Sequence, residues 1–73
     1  MKLRPDIKAK EAIRTLEKMG FRKDKGRGSH LRLKHSDGRW TQVAVHPKPI
    51  PQGTLRKILR QAEITPEEFL KNF

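Results

Sequence analysis

The spacing of apolar residues changes period twice along this chain, and few folds accommodate that change within 73 residues. Over residues 6–19, Ala9, Ala12, Ile13, Leu16 and Met19 recur at the spacing of one helical face. Asp6 is placed to cap the start of this helix and Gly20 to end it in a left-handed turn. From Phe21 the period falls to two. Residues 21–25 alternate weakly and residues 29–34 clearly, with Leu31 and Leu33 on one face and His30, Arg32 and Lys34 on the other. Asp37-Gly38 marks a turn. Alternation resumes over 39–45, where Thr41, Val43 and Val45 oppose Trp40, Gln42, Ala44 and, just beyond, His46. Pro47, Pro49 and Pro51 make 46–52 a stiff, non-helical connection. The helical period then returns in Leu55, Ile58, Leu59 and Ala62, with Thr54 as the candidate cap. Thr65-Pro66-Glu67-Glu68 reads as a capping box with proline at the first helical position, and Ile64 and Phe69 stand where a hydrophobic staple would.

The order is therefore α-β-β-β-α-α. Each long helix offers one apolar stripe and the sheet one apolar face, so an α+β two-layer sandwich on a three-stranded antiparallel sheet buries all of them. Residues 1–73 form one domain, with no room for a second core. The other sheet face would carry His30, Arg32, Lys34, Trp40 and Gln42, an open basic platform with one aromatic ring.

Eighteen Lys and Arg stand against eight Asp and Glu, a formal net charge of +10. A solvated charged surface is the bland reading of such residues. The one-sided excess favours a polyanionic partner: RNA, DNA, an acidic membrane or an acidic protein. With no cysteine, disulfides and thiolate metal sites are excluded, in keeping with a reducing cytoplasm. No apolar run approaches the ~20 residues that span a bilayer, and the first residues lack an apolar signal core. A soluble cytoplasmic protein, without membrane partners, is expected.

The chemistry concentrates at Gly28-Ser29-His30. Gly26 and Gly28 let the chain turn sharply among Lys23, Lys25 and Arg27, and deliver His30 to the start of a strand. Histidine is the side chain whose unperturbed pKa lies near neutrality. One imidazole among lysines and arginines suggests proton chemistry beside a phosphate. Lys23, Lys25, Arg27, Arg32 and Lys34 are the nearest cations in sequence, with the main-chain N–H groups of Gly28 and Ser29. Ser29 lacks the third residue of a triad and more naturally orients the strand or contacts phosphate. Asp24 and Asp37 are isolated acids, so no metal site or cofactor is expected. His35, beside the Asp37-Gly38 turn, is expected to be exposed. Arg56, Lys57 and Arg60 lie off the apolar stripe of the second helix.

Taken in order, these pieces resemble the HicA toxins of bacterial and archaeal toxin–antitoxin systems, from about Ile7 to Leu70. Leu16-Glu17-Lys18-Met19-Gly20-Phe21 looks like the end of that family's first helix, and Gly28-Ser29-His30 like its signature. Asp37-Gly38-Arg39 looks like its hairpin turn, Gly53-Thr54-Leu55-Arg56-Lys57-Ile58-Leu59 like the start of its second helix, and Glu67-Glu68-Phe69 like its usual ending. Ala44 departs from the pattern, standing where the family commonly has proline.

The resemblance implies a double-stranded-RNA-binding-domain-like fold. It also implies a ribosome-independent mRNA-cleaving endoribonuclease that halts translation and is neutralised by a HicB antitoxin; because RNA carries its own nucleophile, the 2′-hydroxyl, the cut is expected to need no metal. Its catalytic histidine corresponds to His30, which would take the proton of a ribose 2′-hydroxyl. His46 is the candidate general acid; a loop histidine bonded locally is an equal alternative, and water or a lysine would also serve. Arg56, Lys57 and Arg60 would meet phosphates, as that helix end does in RNA-binding relatives of the fold. Trp40 has three readings: stacking on an unpaired base, half-buried packing, or an anchor for the antitoxin. The rival functions are a non-catalytic RNA-binding module of the same fold, and a protein whose basic face only docks an acidic partner.

Overall fold

A computed structural model describes residues 3–73, apart from the side chains of Lys25 and Arg27. Its elements are α1 (Ala9–Lys18), β1 (Phe21–Arg27), β2 (His30–His35), β3 (Trp40–Ala44), α2 (Gln52–Gln61) and α3 (Pro66–Asn72). The strands form one antiparallel sheet in the order β1-β2-β3, so β2 is central. This is the expected α-β-β-β-α-α arrangement, an α+β fold with helices on one face of the sheet. Helix α1 packs on β1 and β3, α2 packs on β3, and α3 closes against both. Phe21, Leu33 and Val43 from the sheet meet Ala12 and Leu16, Leu55 and Leu59, and Phe69, all at 1% exposure or less. At about 25 cal/mol per Å² of apolar area, these side chains supply most of the drive to fold.

Three local expectations are corrected. Helix α1 begins at Ala9 with Lys8 as N-cap, so Asp6 does not cap it. Lys8 is extended and bridged to Pro49, which stops the helix from starting earlier. Glu11 accepts the Lys8 N–H at 3.0 Å instead, while Asp6 pairs with Arg4 at 3.2 Å. Helix α2 begins at Gln52 after Pro51, which leaves Thr54 inside the helix rather than capping it. Val45 lies beyond the end of β3 and is 48% exposed, so it does not join the buried face with Thr41 and Val43. The third helix starts as its sequence indicates: the Glu68 N–H donates to Thr65 Oγ1 at 3.1 Å, and the Thr65 N–H donates to Glu68 Oε1 at 3.3 Å.

The N-terminal segment and the proline-rich connection brace each other. The Ile50 N–H donates to the Ile7 carbonyl at 2.7 Å, and Gln52 Nε2 donates to the Leu3 carbonyl at 3.2 Å. Leu3, Ile7 and Ile50 are buried behind these bonds.

The hairpin between β2 and β3 is braced through Arg39. Its backbone N–H donates to Asp37 Oδ1 at 3.0 Å, its Nε to Asp37 Oδ2 at 2.8 Å, and its Nη1 to the Ala62 carbonyl at 3.3 Å. The guanidinium also sits 5.3 Å from the centre of the Phe21 ring. The backbone N–H of Arg39, and then its guanidinium, hold the Asp37 carboxyl below its ordinary value of 3.8. His35 is half-buried rather than exposed, its ring edge-on to Phe21 at 5.1 Å. Its Nδ1 lies 3.1 Å from the Asp37 N–H and 3.0 Å from Asp37 Oδ1. One protonation state cannot use both: the neutral nitrogen accepts the N–H, whereas a protonated one donates to the carboxylate.

Candidate active site

His30 opens the central strand, paired with Arg27 on one side and Ala44 on the other. Two glycines put it there. Gly28 has φ +58° and Ser29 does not share the positive sign, the pattern of a type II′ hairpin turn. The Ser29 carbonyl accepts the Val45 N–H at 2.6 Å, which ties this turn to the exit of β3. A bulge in β1 between Asp24 and Arg27 then brings Gly26 against β2. A β-carbon at Gly26 would overlap the His30 carbonyl oxygen.

The Val45 bond also explains how Ala44 can stand where the resemblance led one to expect proline. Ladder donors alternate along an antiparallel strand, so the N–H of Ala44 points away from β2, on the outer side of an edge strand. A proline there would remove no bond of this ladder.

The His30 side chain is exposed and lines a cleft of about 410 Å³. Gln42 and Ala44 of β3 form its floor, and Thr54, Lys57 and Gln61 of α2 border it. Because α2 packs beside an edge strand, its Thr54–Lys57–Gln61 stripe at i, i+3 and i+7 reaches the histidine from outside the sheet. Thr41 Oγ1, fully buried, fixes this meeting: its one proton goes to the nearer acceptor, the Ile58 carbonyl at 2.9 Å, and the Gln61 side-chain amide lies 3.3 Å away. A preformed concavity with an imidazole, an ammonium and two amides suits an anionic ester bearing hydrogen-bonding groups.

His46 lies two residues past β3, exposed in the proline-rich connection, so strand alternation does not orient it. It lines a neighbouring pocket of about 490 Å³ that shares Ala44, Thr54 and Ile58 with the cleft of His30. The remaining candidates divide. Arg32, Lys34 and Trp40 occupy the open face, where the Arg32 guanidinium stacks 4.9 Å from the Trp40 ring centre. Trp40 is 38% exposed, partly covered by Arg32 and outside the core cluster.

Lys23 pairs with Leu33 and so lies on the helix-bearing side of the sheet, opposite to His30. Lys23 and Lys34 border a concavity of about 1040 Å³ near His35 that His30 does not line. Arg56 and Arg60 are exposed on α2 outside the His30 cleft, whereas Lys57 is within it. The side chains of Lys25 and Arg27 lie outside the described residues. Gln42, Thr54 and Gln61 of the cleft were not among the sequence candidates. The spacing of Gln61 from Lys57 is the signal that points to it. Arg22 was missed too, although its pairing with Lys34 puts it on the open face.

No helix among the described residues is long and apolar enough to cross a membrane. Nor do the described residues contain a group of three His, Cys, Asp or Glu side chains placed to hold a metal ion. No curated protein compared with this chain matches it. The family model described as HicA toxin of bacterial toxin–antitoxin systems matches residues 9–64. That span runs from the start of α1 to Ile64, past the end of α2, and holds both His30 and His46. The chain belongs to the HicA toxin family of bacterial toxin–antitoxin systems.

Proposed function

We propose that this protein is an endoribonuclease that cleaves mRNA without the ribosome and without a metal, and that a HicB antitoxin neutralises it. The carrying observation is the exposed His30 at the head of the central strand, sharing a cleft with Lys57. RNA brings its own nucleophile. His30 takes the proton from a ribose 2′-hydroxyl, and the oxygen attacks the adjacent phosphorus. The bond from phosphorus to the 5′-oxygen breaks, leaving a 2′,3′-cyclic phosphate that water opens to a 3′-phosphate. A positioned base contributes about 10²–10⁴-fold to such a step. The Lys57 ammonium stabilises charge gathering on the phosphoryl oxygens. His46, in the adjoining pocket, is our candidate for returning a proton to the leaving 5′-oxygen. Arg22, Arg32, Lys34 and Trp40 on the open face, with Arg56 and Arg60 on α2, form the wider RNA-contacting surface.

An antitoxin that covers the His30 cleft and the basic face would block chemistry and substrate together, and would relieve the repulsion among the protein's excess cations.

Expression of the wild type beside His30→Ala, with mapping of the RNA ends, tests the reading. Growth arrest and cyclic or 3′-phosphate ends are expected from the wild type alone. A folded His30→Ala protein that remains equally toxic refutes the catalytic role and leaves a non-catalytic RNA-binding module of the same fold.

A further inference from the structure

We infer that the proline-walled pocket beside the His30 cleft is a subsite for one nucleobase of single-stranded RNA, next to the phosphate being cleaved. This rests on the RNA-cleavage reading above and names a part of the substrate that reading leaves unplaced.

The pocket and the cleft form one continuous depression, since Ala44, Thr54 and Ile58 line both. The chemistry of the two halves differs. The cleft presents an imidazole, an ammonium and two amides, the groups that handle a phosphate and a ribose. The pocket is walled by Pro47, Pro49, Pro51 and the edge of Ile50, flat apolar surfaces suited to the face of a base. Its volume of about 490 Å³ admits one planar heterocycle together with part of its sugar. Polar groups are confined to few places: Lys48 can meet a flanking phosphate and Thr54 a base or sugar edge, while His46 stands between base and leaving oxygen. A strand running from pocket to cleft would pass Lys48 at one end and Lys57 at the other, so charge favours a polyanion over an apolar protein side chain.

The wall is rigid before any ligand arrives. Each proline ring fixes its own φ, and the connection is held by the bridge of Pro49 to Lys8, to which the 2.7 Å bond from the Ile50 N–H to the Ile7 carbonyl belongs. Preorganisation of this kind keeps low the ordering cost that a flexible loop would incur on binding a base.

The test uses His30→Ala protein, so that binding is read without cleavage. A short single-stranded RNA is compared with copies in which one base at a time is removed to leave an abasic site. The expected result is one position where removal weakens binding about tenfold, the scale of a single stacked base. In Pro47→Ala that step should shrink to about twofold or less, whereas Lys48→Ala should weaken intact and abasic RNA alike. Base removals that have equal effects at every position of an RNA that does bind overturn the subsite and leave the nuclease reading standing. Failure of every RNA to bind at low salt overturns both. Equal effects at every position, joined to loss of antitoxin binding in Pro47→Ala, would assign the pocket to the protein partner and also overturn the inference. Trp40 lies outside the pocket, so Trp40→Ala keeps the test decisive even if the Pro47 variant does not fold: the base-sensitive position should survive that change, and its disappearance would assign the base to Trp40 and overturn the subsite.

Discussion

Gly26 and the carbonyl oxygen of His30 approach so closely that no β-carbon fits between them. The glycine is therefore a spacer that sets how near the bulged strand lies to the first residue of the central one. Gly26→Ala should push β1 off β2 at this point and cost roughly 1–3 kcal/mol, the usual scale of overpacking. Urea unfolding measures that loss. RNA cleavage should fall by about 10²-fold if His30 shifts by about 1 Å, well beyond what the unfolded fraction explains.

Glu63 carries φ +56° at the end of α2, a conformation that side chains with a β-carbon rarely adopt. The Ile64 N–H donates to the Leu59 carbonyl at 2.9 Å and the Glu63 N–H to the Arg60 carbonyl at 3.1 Å, the bonding pattern of a Schellman cap. Glu63→Gly should raise stability by about 1 kcal/mol. Thermal unfolding would show it as a higher Tm, with RNA cleavage unaltered because Glu63 lines neither the cleft nor the proline pocket.

Asp37 gives the fold an acid-sensitive contribution. Its folded pKa lies below the ordinary 3.8, so the stability it supplies is present above that value and is lost as pH falls through the lower, folded one. Asp37→Asn never has this contribution. Melting temperatures of wild type and variant, followed from about pH 5 to about pH 2, should therefore converge toward the acid end. A gap that stays constant across the range would mean that the Arg39 contact is not the cause.

On the proposed function, Lys57 and Arg60 should separate chemistry from attraction. Lys57 lines the His30 cleft and Arg60 does not, although both are exposed cations on α2. Lys57→Ala should lower the single-turnover rate at saturating RNA by about 10- to 100-fold. Arg60→Ala should leave that rate unchanged while weakening binding, and should reduce the slope of log K against log salt by about 0.7.

Much of the architecture was legible because local rules and tertiary packing agree in this chain. The change of period located the two long helices and the three strands, Thr65 and Glu68 form the box that announces the third helix, and the Asp37-Gly38 turn connects the strands it was expected to connect. The errors fall where a competing constraint, distant or adjacent, overrules a local preference. Asp6 and Thr54 are good caps by residue type, but the bridge between Lys8 and Pro49 and the stiffness of Pro51 fix other starting points. Val45 continues the apolar pattern in sequence, yet the strand ends one residue before it and leaves it exposed. Within the site, His30 was legible from its glycines. Its meeting with Lys57 was not, since it depends on α2 packing beside β3 and on the bond from Thr41. The side of the sheet taken by Lys23 was available all along: Phe21 is buried, and a residue two positions on shares its face.

The brace at Arg39 and the histidine at position 30 occupy opposite ends of the same two strands. One end is locked to Asp37, Phe21 and the last turn of α2; the other ends in a glycine turn and opens onto the cleft. The β2–β3 pair thus resembles a beam clamped at one end, with the proposed catalytic histidine at the other. Substitutions that tighten the clamp are far from the tip, so this small domain has a place to gain stability without altering the geometry around His30.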